Sequence, residues 1–243
     1  MARDFNGSTD RLDVTIGSLS MPFTMAAWAN FDSVSANNHI ISIAAGSDAT
    51  YFGLRGLDTA NIGALSFDGS GGIQAISTTS TSAATWHHTV GVYVSTTERS
   101  VFLDGGGKKT ETTLDTPTTP TEVAIGVSAD STPIYFMSGS VAHAAIWNVE
   151  LTDAEIATLA TGVSPLLVRP ASLVGYWPLH GNSSPEIDVI GGNGLTLTGT
   201  SKVASPRIYM PSAQILQFPP VAAAGGSILP QMLQHNHFSG GSL

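Results

Sequence analysis

The chain has 243 residues, 42% of them hydrophobic and only 11% charged, with a formal net charge of −9 and no cysteine. That is enough apolar residue for a sizeable core, and it excludes disorder by composition, disulfide staples, thiolate metal centres and the basic footprint of a nucleic-acid binder. With nine Lys and Arg in all, an anionic membrane is an equally poor partner, and no run reaches the ~18 apolar residues of a membrane span. Ser, Thr, Gly and Ala replace the missing charges and imply a neutral, hydroxyl-rich surface. The opening Met1–Gly7 lacks the apolar run of a secretory leader, so synthesis and folding in the cytosol are expected.

Short apolar runs bounded by Gly, Asn, Asp, Ser and Thr recur from the N-terminus to about Leu197. They are Phe23–Phe31, Ile40–Ala44, Tyr51–Leu54, Ile62–Phe67, Ile73–Ser77, His88–Val94, Ser100–Leu103, Val123–Val127, Ile134–Phe136 and Val141–Trp147. Alternation with period two puts Val90, Val92 and Val94 on one face, and Val141, His143, Ala145 and Trp147 on one face. Turns are marked at Asp68-Gly69, Gly71-Gly72 and Asp104 through Gly107. Many short strands with frequent turns predict an all-β sandwich or barrel, with Trp28, Trp86 and Trp147 in or beside the core. One helix interrupts them. Thr152 and Glu155 form a capping box, Ile156 and Leu159 follow at helical spacing, and Gly162 suits a left-handed cap, so a helix is predicted from about Asp153 to about Thr161.

Beyond Gly162 the texture changes. Leu173–Leu179 and Leu195–Thr198 read as further strands, so residues 163–205 are expected to complete or flank the sandwich. Residues 206–243 hold five of the 13 prolines, too many for a central strand, yet also Ile215, Leu216, Phe218, Ile228, Leu229, Met232 and Leu233. Large apolar groups in a proline-rich segment predict an extended arm that docks on another surface.

Three segments carry a family resemblance: Phe23–Trp28; Trp86-His-His-Thr-Val-Gly-Val-Tyr93 followed by Val101-Phe-Leu-Asp-Gly105; and Gly139 through Ile156 with its Trp147 and capped helix. In this order they resemble the laminin G-like and pentraxin-like branch of the concanavalin A-like jelly rolls, over residues 1–162. The resemblance implies a jelly-roll β-sandwich with one short helix, to which the C-terminal arm is appended. Gly91 stands where that family usually has a small hydrophobe. Leu173–Leu179 with Gly191–Gly199 is similar to the lead-in that usually precedes such a module, here placed after it.

Glycoside hydrolases share this fold and need two carboxylates ~5–9 Å apart. No single strand carries acids at i, i+2 or i+4, and Glu98, Glu111, Glu122, Glu150, Glu155 and Glu186 read as turn, linker or helix residues, so no catalytic residue is assigned and no enzyme is expected. No Gly-x-Ser-x-Gly elbow occurs either. His87 and His88 point to opposite faces and cannot chelate one ion, so one is expected buried beside Trp86 and the other at the surface. The resemblance implies calcium at a sandwich rim, for which Asp48 and Asp130 are the loop acids to inspect. His235 and His237 share a face at i, i+2 spacing, and threefold symmetry would gather six such imidazoles around a transition metal on a trimer axis. No cofactor is required.

The leading functional expectation is a non-enzymatic structural or host-contact protein of a tailed bacteriophage, a capsid decoration or a fibre or spike component, located in the virion. Its partners would be other virion subunits or itself as a homo-oligomer, with a cell-surface glycan as a further ligand. A carbohydrate-binding lectin-like module acting outside cells is the alternative, and a glycoside hydrolase the third reading.

Overall fold

In a computed structural model of the chain, the described residues are 1–209 apart from 35–36, 47–49, 130–131 and 182. The chain opens with β1 (Ala2–Asn6), β2 (Arg11–Thr15), β3 (Phe23–Phe31) and β4 (Asn38–Ala44). Next come β5 (Tyr51–Gly56), β6 (Ile62–Phe67), β7 (Gly72–Ile76) and β8 (Trp86–Ser95). The hairpin β9 (Glu98–Leu103) and β10 (Gly106–Glu111) precedes β11 (Glu122–Ile125), β12 (Ser138–Trp147) and helix α1 (Asp153–Ala160). Three late strands follow: β13 (Leu173–Trp177), β14 (Thr196–Thr198) and β15 (Ser201–Val203).

These strands form two antiparallel sheets. One runs β10-β9-β8-β3-β12-β1-β15, and β13 joins it by pairing with β12. The other runs β14-β2-β11-β4-β5-β6-β7. The late strands therefore enter both sheets. Arg3 on β1 reinforces the join through a buried ion pair with Glu186 at 2.8 Å and a hydrogen bond to the Gly181 carbonyl. Contact with the sandwich continues to Tyr209, whose amide donates to Gly162 and whose carbonyl accepts from Ser164, three residues past the expected arm boundary at Pro206.

Alternation explains the packing. Phe23, Met25 and Tyr93 from the first sheet meet Ile41, Phe52 and Leu54 from the second in the central core, where Phe23 stacks on Tyr93 at 4.8 Å. The opposite face of the eight-stranded sheet, carrying Val90, Val92, Phe102 and Trp147, is covered by Ile156 and Leu159 of α1 with Leu151 and Val168. Trp147 is fully buried and its indole N–H donates to the Val168 carbonyl at 2.7 Å. Trp28 and Trp86 are half-buried and belong to neither the central core nor the helix layer. The helix has its capping box, with Thr152 Oγ1 accepting from the Glu155 amide and Glu155 Oε2 from the Thr152 amide, and ends before Gly162 at φ +91°. Asp104 and Gly105 make the β9–β10 turn at φ 52° and 75°, and a Cβ on Gly105 would stand 2.9 Å from Ala160 of the helix, so only glycine fits.

Three expectations change. Val141 faces the central core while Ala145 and Trp147 face the helix layer, because a bulge between Ala142 and Ala145, with His143 at φ 52°, inserts a residue and flips the alternation. Ile134–Phe136 is not a strand. Residues 126–129 and 132–137 lie outside the strands, joined by Met137 N–H to Gly126 O and Ser128 N–H to Ile134 O, and Ser42 Oγ of the seven-stranded sheet donates to the Val127 carbonyl. β10 and β15 lacked an apolar run. They are polar strands, β10 with two lysines at one end of the eight-stranded sheet and β15 at the other, which suits edges that must not pair further.

Candidate functional site

The metal candidates from the sequence, Asp48, Asp130, His235 and His237, all lie outside the described residues. Among the described residues no group of three or more His, Asp or Glu side chains is placed to hold a metal ion.

His87 and His88 point to opposite faces of β8, but both are buried, unlike the expected split. His88 lies against Trp28, its partner across β3, with ring centroids 5.3 Å apart, and burial pushes its pKa down to about 4 although Asp104 acts the other way. His87 bridges Asp104 and Ser82. Its Nδ1 is 2.7 Å from Asp104 Oδ2, while Nε2 lies 3.0 Å from the Ser82 amide and 3.2 Å from Ser82 Oγ. The amide can only donate, so Nε2 is the acceptor and Nδ1 carries the proton toward Asp104. Burial disfavours the Asp104 carboxylate, but the hydrogen bonds from His87 and the His88 amide prevail and hold it below its ordinary range. The arrangement has the members of a Ser-His-Asp triad. Its imidazole lone pair, however, is already engaged by a backbone amide, which makes it a staple fastening the loop before β8 to the β9–β10 turn.

The outer face of the seven-stranded sheet is partly covered, because Val127, Ala129 and Phe136 pack on Ala44, Tyr51, Leu65 and Ala124. Ser42 of β4 holds Val127 and Ala129 on this face, its Oγ donating to the Val127 carbonyl and accepting from the Ala129 amide. On the β5 side His39 lies over Gly53, where a Cβ would come within 2.8 Å of its ring, and Tyr135 stacks on it at an interplanar angle of 14°. His39 is wholly buried, neither ring nitrogen has a hydrogen-bond partner among the described residues, and burial, with Arg55 adding to it, pushes its pKa down to about 3. Tyr135 is 43% exposed. Arg55 reaches Gln74 Oε1 at 2.7 Å.

On the β2–β11 side Val127, Ser128, Ala129 and Pro133 wall a polar cleft of about 210 Å³, lined also by Arg11, Asp13, Thr15 and Glu122. Leu12, Val123 and Ile125 point into the core, so alternation sends Asp13 and Glu122 outward. Asp13 sits opposite Ala124 and Thr15 opposite Glu122, which makes the two carboxylates diagonal neighbours on adjacent strands. Glu98, Glu111 and Glu122 thus belong to strands rather than turns. Reading acids along single strands missed this pair, because pairing register is not visible in one strand. Asp13 is ion-paired with Arg11 at 3.3 Å and its side chain is 49% exposed. A catalytic acid is normally desolvated, whereas hydrated carboxylates, a guanidinium and hydroxyls suit hydrogen bonding to a polyhydroxylated ligand. A wider hollow of about 490 Å³ at the rim, under residues 16–22, is lined by no charged side chain.

Comparison with known proteins agrees with this architecture. The family model of the concanavalin A-like lectin/glucanases superfamily matches residues 6–157. No curated protein matches the chain. Among solved structures, a candidate carbohydrate binding protein from Bacteroides ovatus superposes with a TM-score of 0.61 at 18% identity, over 86% of this chain. The match covers 61% of that protein's length. A heptameric SAP-like pentraxin from Limulus polyphemus gives 0.58 at 13% identity, covering 81% of this chain and 93% of the pentraxin. The CBM40 domain of the Ruminococcus gnavus IT-sialidase, bound to α2,3-sialyllactose, gives 0.50 at 13% identity, covering 66% and 98%. At these identities the structures speak for the fold, while the family model spans more than half of the chain. The chain belongs to the concanavalin A-like lectin/glucanases superfamily.

Proposed function

We propose that the protein is a non-enzymatic, glycan-contacting sandwich that serves as a structural or host-contact subunit of a tailed-bacteriophage particle. The observation that carries the glycan half is the β2–β11 cleft, a polar hollow on the outer face of the seven-stranded sheet, in a superfamily that includes lectins. A carbohydrate binding protein and a carbohydrate-binding module among the similar folds support it as analogy. An Asp13→Ala variant is expected to weaken glycan binding about ten-fold or more, since a hydrogen bond to a charged group contributes ~1.5–3 kcal/mol. Titration calorimetry against the best glycan from an array checks this, and unchanged affinity would remove the cleft from the reading.

The cross-strand pair of Asp13 and Glu122 is the one observation favouring a glycoside hydrolase. The half-exposed Asp13 side chain and its pairing with Arg11 speak for binding instead. Release of reducing ends from any polysaccharide, lost in Asp13→Asn or Glu122→Gln, would reverse that choice.

The particle half rests on the hydroxyl-rich, weakly charged composition and on the chain beyond Tyr209, where prolines alternate with large apolar residues. In this reading that segment clasps neighbouring subunits. Each apolar side chain it buries contributes ~1.5–3 kcal/mol, enough for several anchors to offset its ordering. A chain ending at Tyr209 is expected to keep the sandwich, seen by circular dichroism, and to lose particle association in co-sedimentation. Normal association would dismiss the clasp.

A further inference from the structure

The charges of the β2–β11 cleft discriminate among glycans, an inference that rests on the glycan-binding reading. Arg11 and Asp13 compensate each other across 3.3 Å. Among the described residues, Glu122 makes no hydrogen bond or ion pair, and no charged side chain other than Arg11, Asp13 and Glu122 lines the cleft. The described residues of the cleft therefore carry one uncompensated negative charge, in a chain whose net charge is −9. A carboxylate only accepts hydrogen bonds, so Glu122 calls for hydroxyl or ammonium donors and repels a second carboxylate brought into the same partly desolvated space. The cleft volume of about 210 Å³ is also below the ~300–1,000 Å³ of pockets for drug-sized ligands. That room suits one terminal ring rather than a chain laid along the strands.

We infer that the cleft takes a terminal uncharged hexose or a free amino sugar and rejects glycans ending in a carboxylate, the sialic and uronic acids. The ligand preference is thus opposite in charge to that of the similarly folded Ruminococcus gnavus domain solved with sialyllactose. Charge at the site, not the fold, sets it.

The test is an array of matched glycan pairs, each with and without a terminal sialic or uronic acid, followed by titration of the full chain with the best pair. The uncharged or amino member is expected to bind about ten-fold tighter or more, from like-charge repulsion alone. Glu122→Gln, which keeps shape and removes the charge, is expected to narrow that gap while leaving the unfolding midpoint close to that of the parent. Equal or tighter binding of the acidic members, or a gap unchanged by Glu122→Gln, would overturn the selectivity and leave glycan binding standing. Binding to no glycan of either kind would overturn the glycan reading itself, and the selectivity with it.

Discussion

A Trp147→Ala variant is expected to lose about 3–5 kcal/mol of stability, the range for emptying a large aromatic site in a core. Trp147 is fully buried between the eight-stranded sheet and α1, and it also ties β12 to the segment after the helix through its bond to the Val168 carbonyl. The truncation leaves a cavity and an unpaired buried carbonyl together. Against a typical total of ~5–15 kcal/mol the variant would be marginal, with a large drop in the urea midpoint. Trp147→Phe, which keeps much of the volume but not the N–H, should fall between parent and alanine variant. Trp28→Ala serves as the contrast, because Trp28 is half-buried and its replacement should cost less. If Trp147→Ala and Trp28→Ala lose the same stability, the helix layer is not packed as described.

Stability is expected to fall steeply as the pH drops from about 6.5 toward 4. His39, His88 and His143 are held neutral by burial, their pKa values lowered to about 3, about 4 and about 4; for His143 the chain's N-terminus and His180 act in the same direction. Unfolding returns each to about 6.5, so within this window the unfolded chain binds more protons than the folded one. Stability from these groups is complete above the unfolded value and is lost as the pH falls toward the folded one. Each contributes a slope of up to about 1.4 kcal/mol per pH unit. Urea midpoints measured between pH 7 and pH 4.5 read the effect, and His39→Gln, which cannot take the proton, should flatten the lower part of the curve. A midpoint independent of pH between 7 and 5 would show that these rings are not buried neutral.

The acid sensitivity shows where sequence reading stops. Nothing in the pattern around His39 says that its ring lies against Gly53 and stacks on Tyr135, since those three residues meet only after β4, β5 and the segment carrying Tyr135 are assembled. The two buried histidines of β8 show the same limit. Alternation correctly sends them to opposite faces, but the burial of both depends on Trp28 across one strand pair and on the Ser82 loop folded against the other face.

What the chain determines locally was legible in it. Short β-rich runs, the Asp104-Gly105 turn, the Thr152–Glu155 cap and Gly162 are matters of neighbouring φ, ψ and hydrogen-bonding groups, and they specify strands, a hairpin and a two-turn helix that tertiary packing then stabilises. The order of three such segments was enough to identify the superfamily. Only the assembled structure decided which acids share one sheet face. Asp13 and Glu122 stand more than a hundred positions apart, and they become neighbours because β2 and β11 pair in one register. A one-residue slip would send each to the opposite face. The β12 bulge makes the same point within one strand, where a single inserted residue turns Val141 inward and Trp147 outward. Register and bulges are set by the sum of packing on both sheet faces, a sum over residues distant in sequence, and so the cleft belongs to the fold while its building blocks belong to the sequence.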